Sequence, residues 1–203
     1  FDLGFALCNL FELASIAELT RQPDAVYFFG VPGDAGYSYG DSATVFHEDE
    51  TCGMVVASVP CADRFGYFGY LKKMVLTLHN IIMMRRGRLP YHGAMVRILL
   101  KGGVDKTVLV IGDTGAGKSE TLESFRAVGD EYIRDMIVIA DDMGSLDIDE
   151  NGNVTGYGTE IGAFLRIDDL QPGYAFGQLD RSIIMSANKI NARIVLPVTT
   201  YAE

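Results

Sequence analysis

Eight consecutive residues, Gly112-Asp113-Thr114-Gly115-Ala116-Gly117-Lys118-Ser119, satisfy the pattern GxxxxGK[ST], with an apolar run before them and a helix-forming run after. The chemistry of such a segment is phosphate binding. Gly112, Gly115 and Gly117 let the backbone turn tightly and aim successive N–H groups inward, and the helix that follows adds its positive end. Lys118 can reach terminal phosphates, and Ser119 can offer its hydroxyl to a divalent ion. A glycine turn that matches by chance is the bland alternative, and both flanks argue against it. Asp141 and Asp142 close a second apolar run 23 residues beyond Lys118. Alone, such a pair is ordinary surface-turn material. Beside a phosphate loop it is placed to hold a metal ion or orient its water, because adjacent carboxylates in a low-dielectric cleft need a cation.

Other residues carry weaker signals. Arg193 and Arg166 each sit in an apolar strand-like run, where a buried guanidinium requires an anionic partner. His92 opens an apolar strand, a place where a lone histidine is ordinarily a satisfied boundary residue. Lys72 and Lys73 read by themselves as helix-surface lysines lying over apolar neighbours. The run RRGRLP (85–90) is either a solvated turn or a lure for an anionic substrate. In FHEDE, His47 stands beside three acids that read as a solvated loop able to recruit a cation, and His79 reads as a core or boundary residue.

These groups depend on elements visible in the hydrophobic pattern. Apolar spacing of three and four predicts helices over residues 3–19 and 70–84, and the loop motif opens a third over 115–128. Strands are expected at 25–31, 54–60, 92–100, 107–112, 136–142, 163–167 and 192–198, with a hairpin around Asn151-Gly152. The fold class is therefore mixed α/β and strand-rich. Pro90 and a change in composition suggest two domains. Residues 1–90 form a partial α/β domain on the substrate and metal side, and 91–203 a nucleotide-binding domain truncated at its C-terminus.

Composition limits the partners. Among 203 residues, 17 Lys plus Arg face 27 Asp plus Glu, a net charge of −10 that offers no basic surplus for a nucleic-acid backbone. A hydrophobic content of 48% excludes a disordered chain, and no apolar run approaches the ~18 residues of a membrane span. Cys8, Cys52 and Cys61 lack CxxC spacing, so a reducing, cytoplasmic setting is the simpler expectation. The chain opens with FDLGF and closes with TTYAE, and both ends read as cut.

The segment GDTGAGKSETLESFRAVGD…VIADD resembles the phosphate-loop region of HPr kinase/phosphorylase. From about Tyr67 to Pro197 the chain resembles the phosphoenolpyruvate carboxykinase superfamily more broadly. FGYLKKMVLTLHNII is similar to that family's helix opening with paired lysines, LPYHGAMV to its histidine strand, TEIGAFLRI to its acidic-Gly-aromatic-basic strand, and SANKINARIVLPV to its Asn-x-Arg strand. The resemblance implies a P-loop carboxykinase-like fold in an incomplete chain, which stops before the part that stacks on the base. It implies ATP or GTP held by residues 112–120, Glu120 included, with Mg2+ and Mn2+. Lys73, His92 and Asp142 fall at the manganese positions, and Asp141 lies near the nucleotide's magnesium with Ser119. Glu160 takes the family's acidic position. Arg166 and Arg193 fall where phosphoryl group and substrate are contacted, and Lys72 is a candidate for phosphate or carboxylate contact.

The implied activity converts oxaloacetate and a nucleoside triphosphate to phosphoenolpyruvate and carbon dioxide. Lys118, Arg166 and Arg193 would neutralise the transferring phosphoryl group, and the second metal would orient the enolate acceptor. Implied partners are a nucleotide, a small anionic substrate and the remaining C-terminal part of the chain itself. Ser119-Glu120 replaces the family's Thr-Thr and matches HPr kinase, so a serine protein kinase with Asp141 as base is an alternative. The family's N-terminal arginine clamp is not found, which leaves a non-catalytic nucleotide-binding module as another.

Overall fold

Alternation is cleanest in MVVASVP, where Val55, Ala57 and Val59 are buried and their neighbours are not. Period-2 burial of this kind builds a strand with one face on a core. The computed structural model describes residues 20–32, 44–66, 68–113, 115–159, 162–166, 183–185 and 193–197. The expected helix 3–19, Thr114 and Glu160 lie outside the described residues, as do the side chains of Ser119, Glu120, Arg166 and Arg193. The chain divides into two compact units, Phe1–Arg86 and Gly87–Glu203.

In the first unit, β3 (Met54–Pro60) pairs in parallel with β1 (Ala25–Val31) and antiparallel with β2 (Val45–Asp49). Helix α1 (Phe68–Arg85) covers this sheet, with Leu78 and Ile81 packed on Val55, Ala57, Ala25 and Tyr27. The Tyr27 hydroxyl donates to the carbonyl of Tyr70 at 2.9 Å, tying β1 to the first turn of the helix. Strand β2 corrects the loop expected at FHEDE. Its acids act within the fold: Asp49 accepts from the N–H groups of Thr51 (3.0 Å) and Cys52 (3.2 Å), and Glu48 pairs with Arg85. The backbone bond from Cys52 is the main influence that holds the Asp49 carboxyl below its ordinary range.

The second unit is organised by one long strand, β4 (Leu89–Leu100). Along one edge it pairs with β5 (Asp105–Ile111), from Gly93 to Leu99. Along the other it pairs with β6 (Ile133–Ala140) and then β7 (Met143–Ile148), which turns back into β8 (Val154–Gly158). Both β5 and β6 are antiparallel to β4 and so parallel to each other. Helix α2 (Lys118–Tyr132) connects them and packs Leu122 and Phe125 on Ala94, Val96, Ile98 and Met136. It starts at Lys118, not at the expected residue 115, because Gly115 and Gly117 take positive φ and belong to the loop. A further sheet contains β9 (Gly162–Arg166), β10 (Ile183–Met185) and β11 (Arg193–Pro197) in the order β10-β11-β9.

Pro90 lies inside β4 and does not end the preceding turn. The N–H of Gly93 donates to the carbonyl of Asp142, so odd-numbered residues of β4 turn their backbone groups toward β7. Even-numbered residues face the other edge, where pairing with β5 has already stopped at Gly93. Pro90 therefore removes no donor from a ladder. The asparagine-glycine hairpin forms as expected, with Asp149 accepting from the N–H groups of Asn151 and Asn153, each at 2.8 Å.

On the face of β4 opposite α2, Tyr91 and Met95 pack with Ala140, Leu109, Ile139 and Leu146. Glycines let β7 and β8 approach this cluster. A Cβ at Gly144 would lie 2.3 Å from the Tyr91 hydroxyl, and one at Gly158 only 1.8 Å from the Ile139 carbonyl oxygen. Gly158→Ala sets backbone against backbone, so Tm should fall by the equivalent of roughly 2–4 kcal/mol. Gly102→Ala, which meets open space, should leave Tm nearly unchanged in the same thermal melts.

Burial pushes the Tyr91 phenol up to about 12. A raised pKa gives stability that is complete below the unfolded value near 10 and lost as pH rises toward 12. Denaturant melts from pH 9 to about 12 should show a shallower decline in Tyr91→Phe than in wild type. Equal slopes would mean that the phenol ionises alike in both states.

Candidate functional site

Strand β5 ends at Ile111, directly opposite Gly93, and residues 112–117 then wrap to the start of α2. Gly115 (φ 79°) and Gly117 (φ 82°) hold left-handed conformations that side chains rarely adopt. At Gly112 a Cβ would come within 2.8 Å of the Ala116 Cβ and 3.7 Å of the Lys118 Cγ, so the lysine stem lies across the loop. The Lys118 side chain is buried, and its ammonium donates to the carbonyl of Asp113 at 3.0 Å. The Gly117 carbonyl accepts from the Thr121 N–H at 2.9 Å and from the Thr121 hydroxyl at 2.7 Å, which fixes the first helical turn. No side chain caps the N-terminus of α2 at Gly117. Its first N–H groups and a buried ammonium thus converge on one loop, an arrangement suited to a phosphate.

Across β4 stands the acid pair. Asp141 and Asp142 do not terminate a strand; they join β6 to β7. His92 pairs with Met143 and Met95 with Ala140, which puts the two aspartates alongside Gly93 and Ala94. The Gly93 N–H donates to the Asp142 carbonyl at 2.9 Å. Gly93 is therefore flanked by the entry to the loop on one side and by Asp142 on the other. Two strand spacings separate these positions, about 10 Å. Gly93 was not among the residues singled out from sequence. A Cβ there would sit 2.6 Å from the Val110 carbonyl oxygen, and the only sequence signal is a glycine immediately after a strand-opening histidine.

His92 Nε2 lies 2.9 Å from Asp142 Oδ1, with both side chains about 30% exposed (31% and 27%). This is an imidazole–carboxylate hydrogen bond; as a metal donor the carboxylate suits Mn2+ or Mg2+, whereas the imidazole suits a transition ion rather than Mg2+. Among the described residues no group of three or more His, Cys, Asp or Glu forms a closed cage. Two donors open to solvent match a cation shared with a substrate better than a structural ion.

The paired lysines differ in burial. Lys72 is buried in α1, whereas Lys73 is exposed and its carbonyl accepts from the Thr77 hydroxyl at 2.8 Å. A lysine that ligates a metal must be neutral, and burial is what favours that form. The basic run serves the fold: Arg85 pairs with Glu48, Arg86 with Asp24 at 2.7 Å, and Arg88 with Asp147 at 3.2 Å. In the β9–β11 pair Arg166 and Arg193 are direct register partners.

No family model matches the chain, and no curated protein matches it. The site is therefore read from its geometry.

Lys118→Met retains the stem across Gly112 and removes the ammonium. It should weaken Mg2+-nucleotide affinity roughly 10- to 100-fold, the worth of one charge-assisted hydrogen bond, with little change in Tm. Titration calorimetry beside a thermal melt separates the two effects.

Proposed function

We propose that this chain is a nucleotide- and divalent-metal-dependent phosphotransferase. Its nearest chemistry is that of phosphoenolpyruvate carboxykinase: oxaloacetate and ATP or GTP to phosphoenolpyruvate, carbon dioxide and the diphosphate. One observation carries the reading. The entry to the 112–119 loop and Asp142, the partner of His92, flank the same residue of β4, Gly93. A loop of this kind without adjacent metal-binding groups would suit binding alone.

The division of labour follows from the residues. The loop N–H groups and the N-terminus of α2 hold the nucleotide's phosphates. Lys118 exchanges its bond to the Asp113 carbonyl for a phosphate oxygen, so its charge is delivered without reorganising the loop. Asp142 stands two strand spacings, about 10 Å, from the loop entry and His92 about one, both within the span of a triphosphate. A divalent cation bound there would neutralise phosphate charge and orient an acceptor oxygen. Arg166 and Arg193 are assigned to the transferring phosphoryl group and the anionic substrate. Asp141 is kept as a candidate site residue, with Ser119 and Glu120 completing the nucleotide loop.

Ser119-Glu120 favours a second reading, a serine protein kinase in which Asp141 takes the hydroxyl proton. The deciding assay supplies oxaloacetate, Mn2+ and either ATP or GTP and follows phosphoenolpyruvate by 31P NMR. Phosphoenolpyruvate formation that Lys118→Met abolishes is the expected result. Phosphoserine on an added protein substrate without phosphoenolpyruvate would transfer the assignment to the kinase. Tight nucleotide binding with no turnover of any acceptor would leave a binding module.

A further inference from the structure

Asn151-Gly152 is the one place in the chain where a glycine follows an asparagine; Asn9, Asn80, Asn153, Asn188 and Asn191 are followed by Leu, Ile, Val, Lys and Ala. The pair lies in the turn between β7 and β8, and both residues are exposed. Such a position carries a chemical consequence beyond the turn. The backbone nitrogen after an asparagine can attack the side-chain amide carbon and close a five-membered succinimide. A side chain on the attacking residue hinders this, and glycine has none. Nothing else of the fold stands within 4 Å of where a Gly152 Cβ would lie.

Folded, the hairpin withholds the nucleophile. The Gly152 N–H donates to the Asp149 carbonyl at 2.9 Å, with Gly152 held at φ 81°. The Asp149 side chain secures that geometry. One carboxylate oxygen accepts from the N–H groups of Asn151 and Asn153, and the other from the Asn153 side-chain amide, each at 2.8 Å. That Asn153 side-chain bond is the main influence holding the Asp149 carboxyl below its ordinary range. The Asp149 N–H donates to the Asn153 carbonyl at 3.0 Å and closes the turn. Attack requires the Gly152 N–H to be released and its peptide plane to rotate toward the Asn151 side chain. These bonds must open first, and at an exposed turn a local opening costs less than unfolding the sheet.

We infer that Asn151 is a site of spontaneous deamidation, gated by the Asp149 cap. The Gly152 nitrogen gives its proton to hydroxide and bonds to the Asn151 Cγ; the Cγ–Nδ2 bond breaks, and ammonia leaves with a proton from water. Water then adds to one of the two succinimide carbonyls. Opening one C–N bond gives aspartate at 151, and opening the other gives isoaspartate, whose main chain runs through Cβ. Water is the only co-reactant. Either product adds a negative charge next to Glu150 and two residues from Asp149. Isoaspartate also puts one more backbone carbon into the turn, which the strand register beginning at Ile148–Val154 must accommodate.

The test incubates the whole chain at mildly alkaline pH and follows the peptide containing Asn151 by mass spectrometry for the amide-to-acid mass gain. Electron-transfer fragmentation separates isoaspartate from aspartate. Asn153, in the same hairpin but followed by Val154, is the internal control and should stay unconverted. Native wild type should convert slowly, and the same chain in denaturing guanidinium chloride quickly, which sets the ungated ceiling. Asp149→Ala should raise the native rate roughly 10- to 30-fold, the worth of one or two exposed hydrogen bonds, and should match wild type in denaturant. Asp149→Asn, which keeps an acceptor oxygen for the turn N–H groups, should fall between. Below the unfolding transition the wild-type rate should not change with guanidinium, because a local opening exposes little surface. That series decides alone should Asp149→Ala be unfolded. A rate that climbs with denaturant from the outset, or a folded Asp149→Ala that converts no faster than wild type, overturns the gate. An Asn151 that stays intact even in denaturant overturns the site.

Discussion

Hydrogen bonding along both edges of β4 is the constraint on which the second unit depends. Residues 93–99 are paired with β5 while residues 95–100 are paired with β6, so neither neighbour can slide without breaking a ladder on the shared strand. A one-residue slip would also turn Ala94, Val96 and Ile98 away from α2. With register held from two sides, Ile111 must leave the sheet opposite Gly93, and the aspartates that follow β6 must pass along its other edge. The entry to the 112–119 loop and the acid pair then lie on either side of Gly93 as a consequence of pairing.

Close backbone approach is the second physical theme. Glycines at 93, 144 and 158 stand where an added Cβ would meet a carbonyl oxygen or a tyrosine hydroxyl well inside contact distance. Gly93 and Gly144 also make room for Tyr91, whose buried ring anchors the face of β4 away from the helix, and Gly158 for the backbone of β6. At Gly112 the same absence of a side chain lets the Lys118 stem fold back over the loop. Packing and chemistry share one device here, since the space that admits Tyr91 and the space that admits the lysine both come from missing Cβ atoms.

Charge is organised locally against a net of −10. The arginines of the 85–88 turn are neutralised by Glu48, Asp24 and Asp147, so the most basic stretch in the chain offers little to an anion. Lys118 is held over a carbonyl in a buried setting. Asp142, set beside a histidine, leaves a cation two donors of different chemistry.

By itself the sequence determined those features whose physics is local. Glycine spacing set the loop and announced the helix after it, three- and four-residue periodicity set α1, a short apolar run set β3, and asparagine-glycine set the β7–β8 turn. The short acidic strand β2 was not legible, because its pairing with β3 is non-local and HEDE has no apolar alternation. The tertiary structure alone decided which lysine of the pair is buried, that the aspartates join two strands, and that Gly93 lies between loop and acids. Each of these is a question of which face and which neighbour, settled by strand register, and register is fixed by contacts between residues far apart in the chain.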